Sequence, residues 1–140
     1  MLQCSKNFDI RQLKDFLGEW QLNRQIIESK RVVGSFQGVA SFDLLERGLV
    51  EYFENGLFTF QHQGPFNASQ KYHWDEELKV SFCDGRYFHH IPPMGGAAFF
   101  SCPPDEYKGD YDFRHWPNWR VSWSVRGPCK AYNLISIYAR

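Results

Sequence analysis

Residues 119–126 alternate strictly between apolar and polar side chains. The two sets are Trp119, Val121, Trp123 and Val125 on one side, and Arg120, Ser122, Ser124 and Arg126 on the other. Side chains of a β-strand point to opposite faces with a period of two, so this segment predicts a strand with one buried, ring-rich face. No other feature of the chain constrains the fold as strongly.

The same alternation recurs along most of the chain and predicts nine or ten short strands joined by short turns. Asn55-Gly56 and Asp84-Gly85 are hairpin signals, and Arg47-Gly48, Asp75-Glu76-Glu77 and Gly127-Pro128 mark further turns. We find neither an internal repeat nor a linker, so residues 1–140 are predicted to form one all-β domain. An up-and-down antiparallel barrel is favoured over a sandwich, because closure removes exposed strand edges. A barrel of this strand number can hold one small ligand.

One segment shows helical spacing instead. Ile10, Leu13, Phe16 and Leu17 recur at three- and four-residue steps between Asp9 and Gly18. Asp9 is the candidate N-cap and Gly18 the stop signal. The segment predicts a short N-terminal helix that covers one end of the barrel.

Composition excludes several classes of function. Lys plus Arg and Asp plus Glu number 16 each, so the chain lacks the positive excess of a nucleic-acid or acidic-membrane binder. We find no apolar run of membrane-helix length and no signal-peptide segment, and we therefore expect a cytoplasmic protein. Aromatic residues make up 18% of the chain, which predicts either a ring-packed core or a ring-lined pocket. No cofactor is predicted, and the sequence leaves the oligomeric state open.

Neither the cysteines nor the histidines form a recognisable metal motif. Cys4, Cys83, Cys102 and Cys129 show no C-x-x-C spacing, and we expect free, mostly buried thiols. His89 and His90 point to opposite faces of a regular strand. A site made by His90 with Cys102 or Asp105 is conceivable, but no ligand spacing supports it, and no metal is predicted.

Polar residues placed in phase with the rings are the candidate site. The predicted ligand-binding residues are Arg24, Tyr52, Glu54, Tyr72, Arg86, Phe88, His90, Tyr107, Tyr111, Trp123, Lys130 and Tyr132. Unpaired buried charges are costly, so these charges must pair, reach water or meet a ligand. An internal salt bridge of Arg24 or Arg86 with Glu54 is one interpretation. The other is a pocket with aromatic walls and an Arg for an anionic group, with Gly38 and Ala40 leaving room.

Several motifs follow one another along nearly the whole chain. Gly18-Glu19-Trp20 opens the first long strand and Arg140 ends the last, as in lipocalin-like barrels, where such a Trp packs under such an Arg. The wider set includes Tyr52-x-Glu54, Asp84-Gly85-Arg86, Cys102-x-x-Asp105-x-Tyr107 and Gly127-Pro128-x-Lys130-x-Tyr132. Together they resemble an uncharacterised family of unknown function predicted to be lipocalin-like. The resemblance implies a calycin-type barrel with an internal site built from the motif residues. Phe100 and Ala131 depart from that pattern, which weakens any chemistry based on a His–Cys pair or an added acid.

The sequence thus favours a protein that binds a small, partly apolar, anionic molecule inside a barrel. Two alternatives stay open. One is a cofactor-independent isomerase, cyclase or hydratase that uses Tyr, His90 or Glu54 as acid or base. The other is an interaction module that binds a protein through an exposed aromatic rim.

Overall fold

Ten strands follow a single helical turn. A computed structural model describes residues 10–140, and in this part of the chain no helix is long and apolar enough to cross a membrane. The turn is a 3₁₀ helix at Leu13–Phe16. The strands are β1 Gly18–Glu28, β2 Arg31–Glu46, β3 Leu49–Phe60, β4 Gln63–Asp75, β5 Lys79–Phe82, β6 Tyr87–His90, β7 Gly96–Cys102, β8 Asp105–His115, β9 Asn118–Gly127 and β10 Lys130–Ala139.

All ten strands belong to one antiparallel sheet that closes almost completely on itself. Their order is β6-β5-β4-β3-β2-β1-β10-β9-β8-β7, so the consecutive strands β6 and β7 form the two edges. Between these edges, ring packing replaces a hydrogen-bonded ladder in the described residues: Phe88 and Phe100 lie 5.0 Å apart, and Phe82 and Phe100 6.0 Å apart, between ring centroids. The predicted antiparallel barrel is confirmed.

Aromatic packing closes the end of the barrel that holds the 3₁₀ turn. Phe16 is fully buried, and its carbonyl oxygen accepts a hydrogen bond of 2.8 Å from Nε1 of Trp20. The guanidinium of Arg140 lies 3.7 Å from the Trp20 ring centroid and donates to the Leu17 and Asp15 carbonyls at 2.6 and 2.9 Å. The Trp-under-Arg arrangement implied by the family resemblance is therefore present.

The strand that first indicated the fold behaves as expected. Trp119, Val121 and Val125 are buried, and Trp123 is half-buried on the same inward face. Neighbouring strands add further rings, and Phe16 alone packs against Phe42, Trp74, Phe113, Trp116 and Trp119. The aromatic content of the sequence is thus mainly core.

The predicted N-terminal helix is reduced to one turn. Asp9, its expected N-cap, lies outside the described residues, and Gln12 takes the capping position instead. The backbone N–H of Arg11 donates to the Pro93 carbonyl at 2.8 Å, which ties this stretch to the β6–β7 loop rather than to a preceding helical turn. Leu13 and Phe16 still face the core, so the apolar spacing was correct although the extended helix was not.

The predicted hairpin at Asn55-Gly56 is wrong. Both residues lie inside β3, and the chain turns instead at Gln61-His62, where φ is positive. Gly56 stands directly opposite Gly38 of β2, and the strands approach so closely that a Cβ on Gly38 would lie 2.2 Å from the Asn55 carbonyl oxygen. Gly56 lets the two strands approach closely. Glycine is used for close approach as well as for turns, and the sequence alone does not distinguish the two uses. The turns expected at Arg47-Gly48, Asp75-Glu76-Glu77, Asp84-Gly85 and Gly127-Pro128 do separate strands.

The expectation of buried thiols is also wrong for the described cysteines. Cys83, Cys102 and Cys129 are free and exposed, because each lies at or beside a hairpin turn rather than on an inward strand face. Cys4 lies outside the described residues.

The close contact between β2 and β3 gives a test of the barrel geometry. Replacing Gly38 with Ala places a methyl group against rigid backbone, and we expect a loss of about 3 kcal/mol or more in unfolding free energy, measured by urea denaturation. Gly34→Ala is the comparison variant. Its methyl group would lie 3.0 Å from side-chain carbons of Ile26 and Phe60, which can shift, and 3.1 Å from the Thr59 carbonyl oxygen, so we expect a smaller loss. Equal losses in the two variants would contradict the interpretation.

Candidate functional site

A cavity of about 240 Å³ lies inside the barrel. Its walls come from β1, β3, β4, β5, β6, β8, β9 and β10. The lining residues are Arg24, Tyr52, Glu54, Gln70, Tyr72, Trp74, Val80, Phe88, His89, Tyr107, Tyr111, Val121, Trp123, Leu134, Ser136 and Tyr138. Most of these side chains are aromatic or aliphatic, and a few polar groups lie among them. This combination is typical of sites that bind small molecules.

An ion pair forms the polar part of the lining. Arg24 donates to Glu54 with both terminal nitrogens, Nη1 to Oε2 at 2.7 Å and Nη2 to Oε1 at 3.0 Å. Its Nε donates to Oγ of Ser136 at 2.7 Å. Two parallel N–H···O bonds are the strongest arrangement available to this pair of groups. The internal salt bridge that the sequence left open therefore exists, with Arg24 rather than Arg86 as the cation.

Small side chains on β2 make room for this pair. Arg24 is on β1 and Glu54 on β3, so the guanidinium must pass over the strand between them. The inward residues of β2 at this level are Gly38 and Ala40, and Ala40 lies opposite Glu54 in the ladder. A larger residue there would occupy the space between the two charges. Neither Gly38 nor Ala40 lines the cavity, so the room expected from these two residues for a ligand is not found there.

Two tyrosines extend the polar network behind the ion pair. The hydroxyl of Tyr52 donates to Oε1 of Glu54 and lies 2.7 Å from the hydroxyl of Tyr138. The Tyr138 ring stacks on Trp119 with centroids 3.8 Å apart. The carboxylate of Glu54 thus accepts from two side chains and is held by a stack that belongs to the core.

Protonation states in the network are fixed near neutral pH. Burial alone would lower the pKa of Arg24, but the hydrogen bond to Glu54 and nearby negative charge hold that pKa above its usual range. Burial raises the pKa of Tyr138 to about 12, and burial together with the neighbouring Tyr138 and Glu54 raises the pKa of Tyr52 well above normal. The tyrosines are therefore neutral hydrogen-bonding groups, and the arginine keeps its charge.

His89 lines another part of the wall and is uncharged. It is 3% exposed, and its Nε2 lies 2.8 Å from the hydroxyl of Tyr111. Burial, with a smaller contribution from the charge of His90, lowers the pKa of His89 to about 3. Its Nδ1 is buried without a hydrogen-bond partner among the described residues. The imidazole therefore acts as a neutral polar group within an aromatic wall formed by Phe88 and Trp123.

The structure brings together eight of the twelve residues predicted from the sequence. Those that line the cavity are Arg24, Tyr52, Glu54, Tyr72, Phe88, Tyr107, Tyr111 and Trp123. Those that do not are Arg86, His90, Lys130 and Tyr132.

Arg86 and His90 were placed inside by assuming a regular strand, and that placement is wrong. The ladder between β5 and β6 shifts between Val80 and Ser81, so that Val80 pairs with His89 but Ser81 pairs with Tyr87. The irregularity changes the phase of the strand, and a one-residue shift moves each later side chain to the other face. His90 is consequently exposed, with Nε2 2.8 Å from the Glu77 carbonyl. Arg86 precedes β6 and pairs in solvent with Asp84 at 2.8 Å.

Lys130 and Tyr132 lie close to the hairpin that joins β9 to β10. Lys130 forms an ion pair with Asp105 of β8 at 3.0 Å and is about half exposed. Tyr132 is half-buried and stands opposite Val125. Both share the inward phase of Leu134, but they are nearer the strand end and do not reach the cavity.

Four polar lining residues were not among the twelve predicted ones: Gln70, His89, Ser136 and Tyr138. Ser136 and Tyr138 share the strand phase of the predicted Tyr132, so their alternation was available, but their hydrogen bonds to Arg24 and Tyr52 were not. His89 could not be found by alternation, because it faces the cavity only through the irregular pairing of β6. In residues 10–140, no group of three His, Cys, Asp or Glu side chains is arranged to hold a metal ion.

We expect that removing one member of the Arg24–Glu54 ion pair destabilises the fold more than removing both charges. We expect Glu54→Gln to lower the unfolding free energy by about 3–5 kcal/mol, because it leaves the Arg24 charge uncompensated in a largely buried position. The double variant Arg24→Met/Glu54→Gln removes that charge and should be the more stable of the two. Chemical denaturation of both single variants and the double variant measures the coupling. A double variant less stable than Glu54→Gln would contradict this account.

His89 predicts a pH dependence of stability. Because its pKa is lower in the folded than in the unfolded chain, the unfolded state binds the extra proton first, and stability falls as pH falls below about 6.5. Between about pH 7.5 and about pH 4.5 the contribution is about 2–3 kcal/mol. Urea denaturation at both values should show a loss larger by that amount in the wild type than in His89→Gln. The same pH dependence in both proteins would show that His89 is not the group responsible.

Solved structures with the same architecture have very different sequences. The S-type phycobiliprotein lyase CPES from Guillardia theta superposes with a TM-score of 0.65 at 5% identity, over 97% of this chain and 92% of that one. The structure of EF1p2_mFAP2b bound to DFHBI gives a TM-score of 0.52 at 9% identity, over 91% and 94% of the two chains. At such identities the likeness concerns the fold.

A search among curated proteins gives no significant match. The sequence pattern of a family of unknown function, DUF6314, matches residues 16–140, from the buried Phe16 of the closed end to the Arg140 that covers Trp20. The protein is a member of the DUF6314 family.

Proposed function

We propose that this protein binds a small, partly apolar molecule inside its barrel. The observation that carries the proposal is the cavity itself, which has aromatic walls and a polar floor made by the Arg24–Glu54 pair. Side chains around a cavity of this size make fewer packing contacts than the side chains of a filled core. An apolar ligand would recover those contacts, and the ion pair would orient its polar end.

The volume limits the part of the ligand that the cavity can enclose. An apolar cavity of about 150 Å³ is large enough for benzene. By that ratio, the cavity of about 240 Å³ holds roughly ten non-hydrogen atoms, the size of a bicyclic aromatic ring. The rings of Tyr72, Phe88 and Trp123 are available to stack on such a group.

The charge of the ligand depends on Arg24. All three guanidinium nitrogens already donate to Glu54 or Ser136, and Glu54 neutralises the charge. Each terminal nitrogen retains one further N–H, which is available to donate a hydrogen bond to a carboxylate or carbonyl oxygen of the ligand. The anionic preference expected from the sequence is therefore kept as part of the proposal, to be tested against a neutral ligand of the same shape.

Two observations bear on the alternative functions. EF1p2_mFAP2b, which shares the fold, was solved with the small molecule DFHBI, which supports the use of such a barrel as a binder. For the acid–base enzyme, both oxygens of Glu54 are occupied by Arg24 and Tyr52, and His89 is held neutral by burial. These groups are better arranged to hold a ligand than to transfer a proton.

Filling the cavity should abolish binding. Leu134→Trp enlarges a half-buried lining residue of β10, whereas Ile137→Trp adds the same ring to the outward face of the same strand, where Ile137 is 47% exposed. Isothermal titration calorimetry with 2-naphthamide should give binding by the wild type and Ile137→Trp, and at least tenfold weaker binding by Leu134→Trp. Thermal unfolding checks that both variants are folded.

The same titration with 2-naphthoate, which has the shape of 2-naphthamide and a negative charge, tests the anionic preference. Tighter binding of the carboxylate supports it, and equal or weaker binding contradicts it. Failure of both compounds to bind, or binding unaffected by Leu134→Trp, would overturn the cavity proposal.

A further inference from the structure

Strands β2, β3 and β4 continue past the region that β5 covers. β5 pairs only with Tyr72–Trp74 of β4, so residues 63–71 pair with β3 on one side and have no strand on the other among the described residues. We call the three-stranded segment formed by residues 31–37, 57–60 and 63–71 the β2–β4 extension. One face of this extension continues the inner surface of the barrel.

The inward face of the extension is apolar. On β4, Gln70 lines the cavity, and Phe66 shares its phase at a distance of four residues. On β3, Glu54 lines the cavity, and Phe58 shares its phase in the same way. Phe58 and Phe66 stand opposite each other in the ladder, and Ala68 follows on the same face. We call Phe58, Phe66 and Ala68 the inner strip.

The inner strip lies on the inward face, but its side chains are only partly covered. Phe66 is 53% exposed, while Phe58 and Ala68 are half-buried and pack against the core cluster. A Phe side chain can bury about 150–250 Å², so Phe66 leaves on the order of 100 Å² of apolar surface open. A stable protein interface needs about 800 Å² from each partner. The strip is too small for a stable protein interface, and an open area on the order of 100 Å² corresponds to about three or four methylene groups of a hydrocarbon chain.

A row of paired residues links the inner strip to the polar floor of the cavity. Arg24, Phe36, Phe58 and Phe66 occupy one row across β1 to β4, each opposite the next in the ladder. The Arg24 guanidinium lies 5.5 Å from the centroid of the Phe36 ring, so the row begins at the ion pair. Phe36 itself is buried, so the apolar surface that a ligand beside Arg24 could reach begins at Phe58 and continues to Phe66.

We propose that the ligand is amphipathic, with a polar aromatic head in the cavity and a linear apolar chain along the inner strip. The inference rests on the proposed function and adds the second part of the molecule. The head fills the roughly ten-atom space, and the chain extends beyond it over Phe58 and Phe66. The class of ligand is thus an alkyl- or prenyl-substituted aromatic compound rather than a compact ring.

Two compounds that share the same head group distinguish binding in the cavity from binding along the inner strip. Calorimetric titration compares 2-naphthamide with 6-hexyl-2-naphthamide. We expect the hexyl chain to tighten binding by about tenfold or more, because its methylene groups leave water on the strip. Phe66→Ser should remove most of that gain while leaving the affinity for 2-naphthamide unchanged, which also shows that the variant is folded.

Leu57→Ser is the matched control. Leu57 neighbours Phe58 on β3, is 49% exposed and faces outward, so its loss should leave both affinities unchanged. If 2-naphthamide binds but the hexyl chain adds nothing, or if the gain survives Phe66→Ser, the strip is not used and this inference falls while the cavity proposal stands. If neither compound binds, both proposals fall.

Discussion

The interior of this barrel depends on the ion pair between Arg24 and Glu54. A ring-rich core solvates charge poorly, so either group alone would destabilise the fold by several kcal/mol. Together, with Ser136 and Tyr52 filling further hydrogen-bonding positions, they become compatible with burial. The pair joins β1, β3 and β10 through the inside of the barrel, whereas their backbones meet only through the sheet. It also places a polar patch within the ring-lined interior.

The two ends of the barrel use aromatic residues for different purposes. At the closed end, Phe16 and Trp20 are almost completely buried, and Arg140 lies over Trp20 and donates to the Asp15 and Leu17 carbonyls. Toward the middle, Tyr72 and Trp123 have partners on some sides and open space on another. The same residue types thus provide rigidity in one layer and a binding surface in the next. Trp119 links the layers, since it packs on Phe16 and stacks on Tyr138.

Alternation in the sequence predicted most of this arrangement because the side-chain period of a strand is a local property. It placed Arg24, Glu54 and Tyr111 inside, and it indicated that Arg24 and Glu54 could pair. It misplaced His90 because the pairing irregularity between β5 and β6 is set by the register of two strands. It read Gly56 as a turn because the reason for that glycine is Gly38 on another strand. His90 and Gly56 are thus both placed by the pairing of one strand with another, which the alternation within a single strand does not contain.

The closure of the barrel makes its wall mechanically uneven. Nine junctions between strands are hydrogen-bonded ladders, in which a sliding movement would break directional bonds one after another. At the tenth, between β6 and β7, Phe100 of β7 contacts Phe88 of β6 and Phe82 of the neighbouring β5, and contact between rings is far less directional. Small displacements along this seam cost less than anywhere else in the wall. Because Phe88 also lines the cavity, the most compliant junction of the barrel is part of the wall that surrounds a ligand.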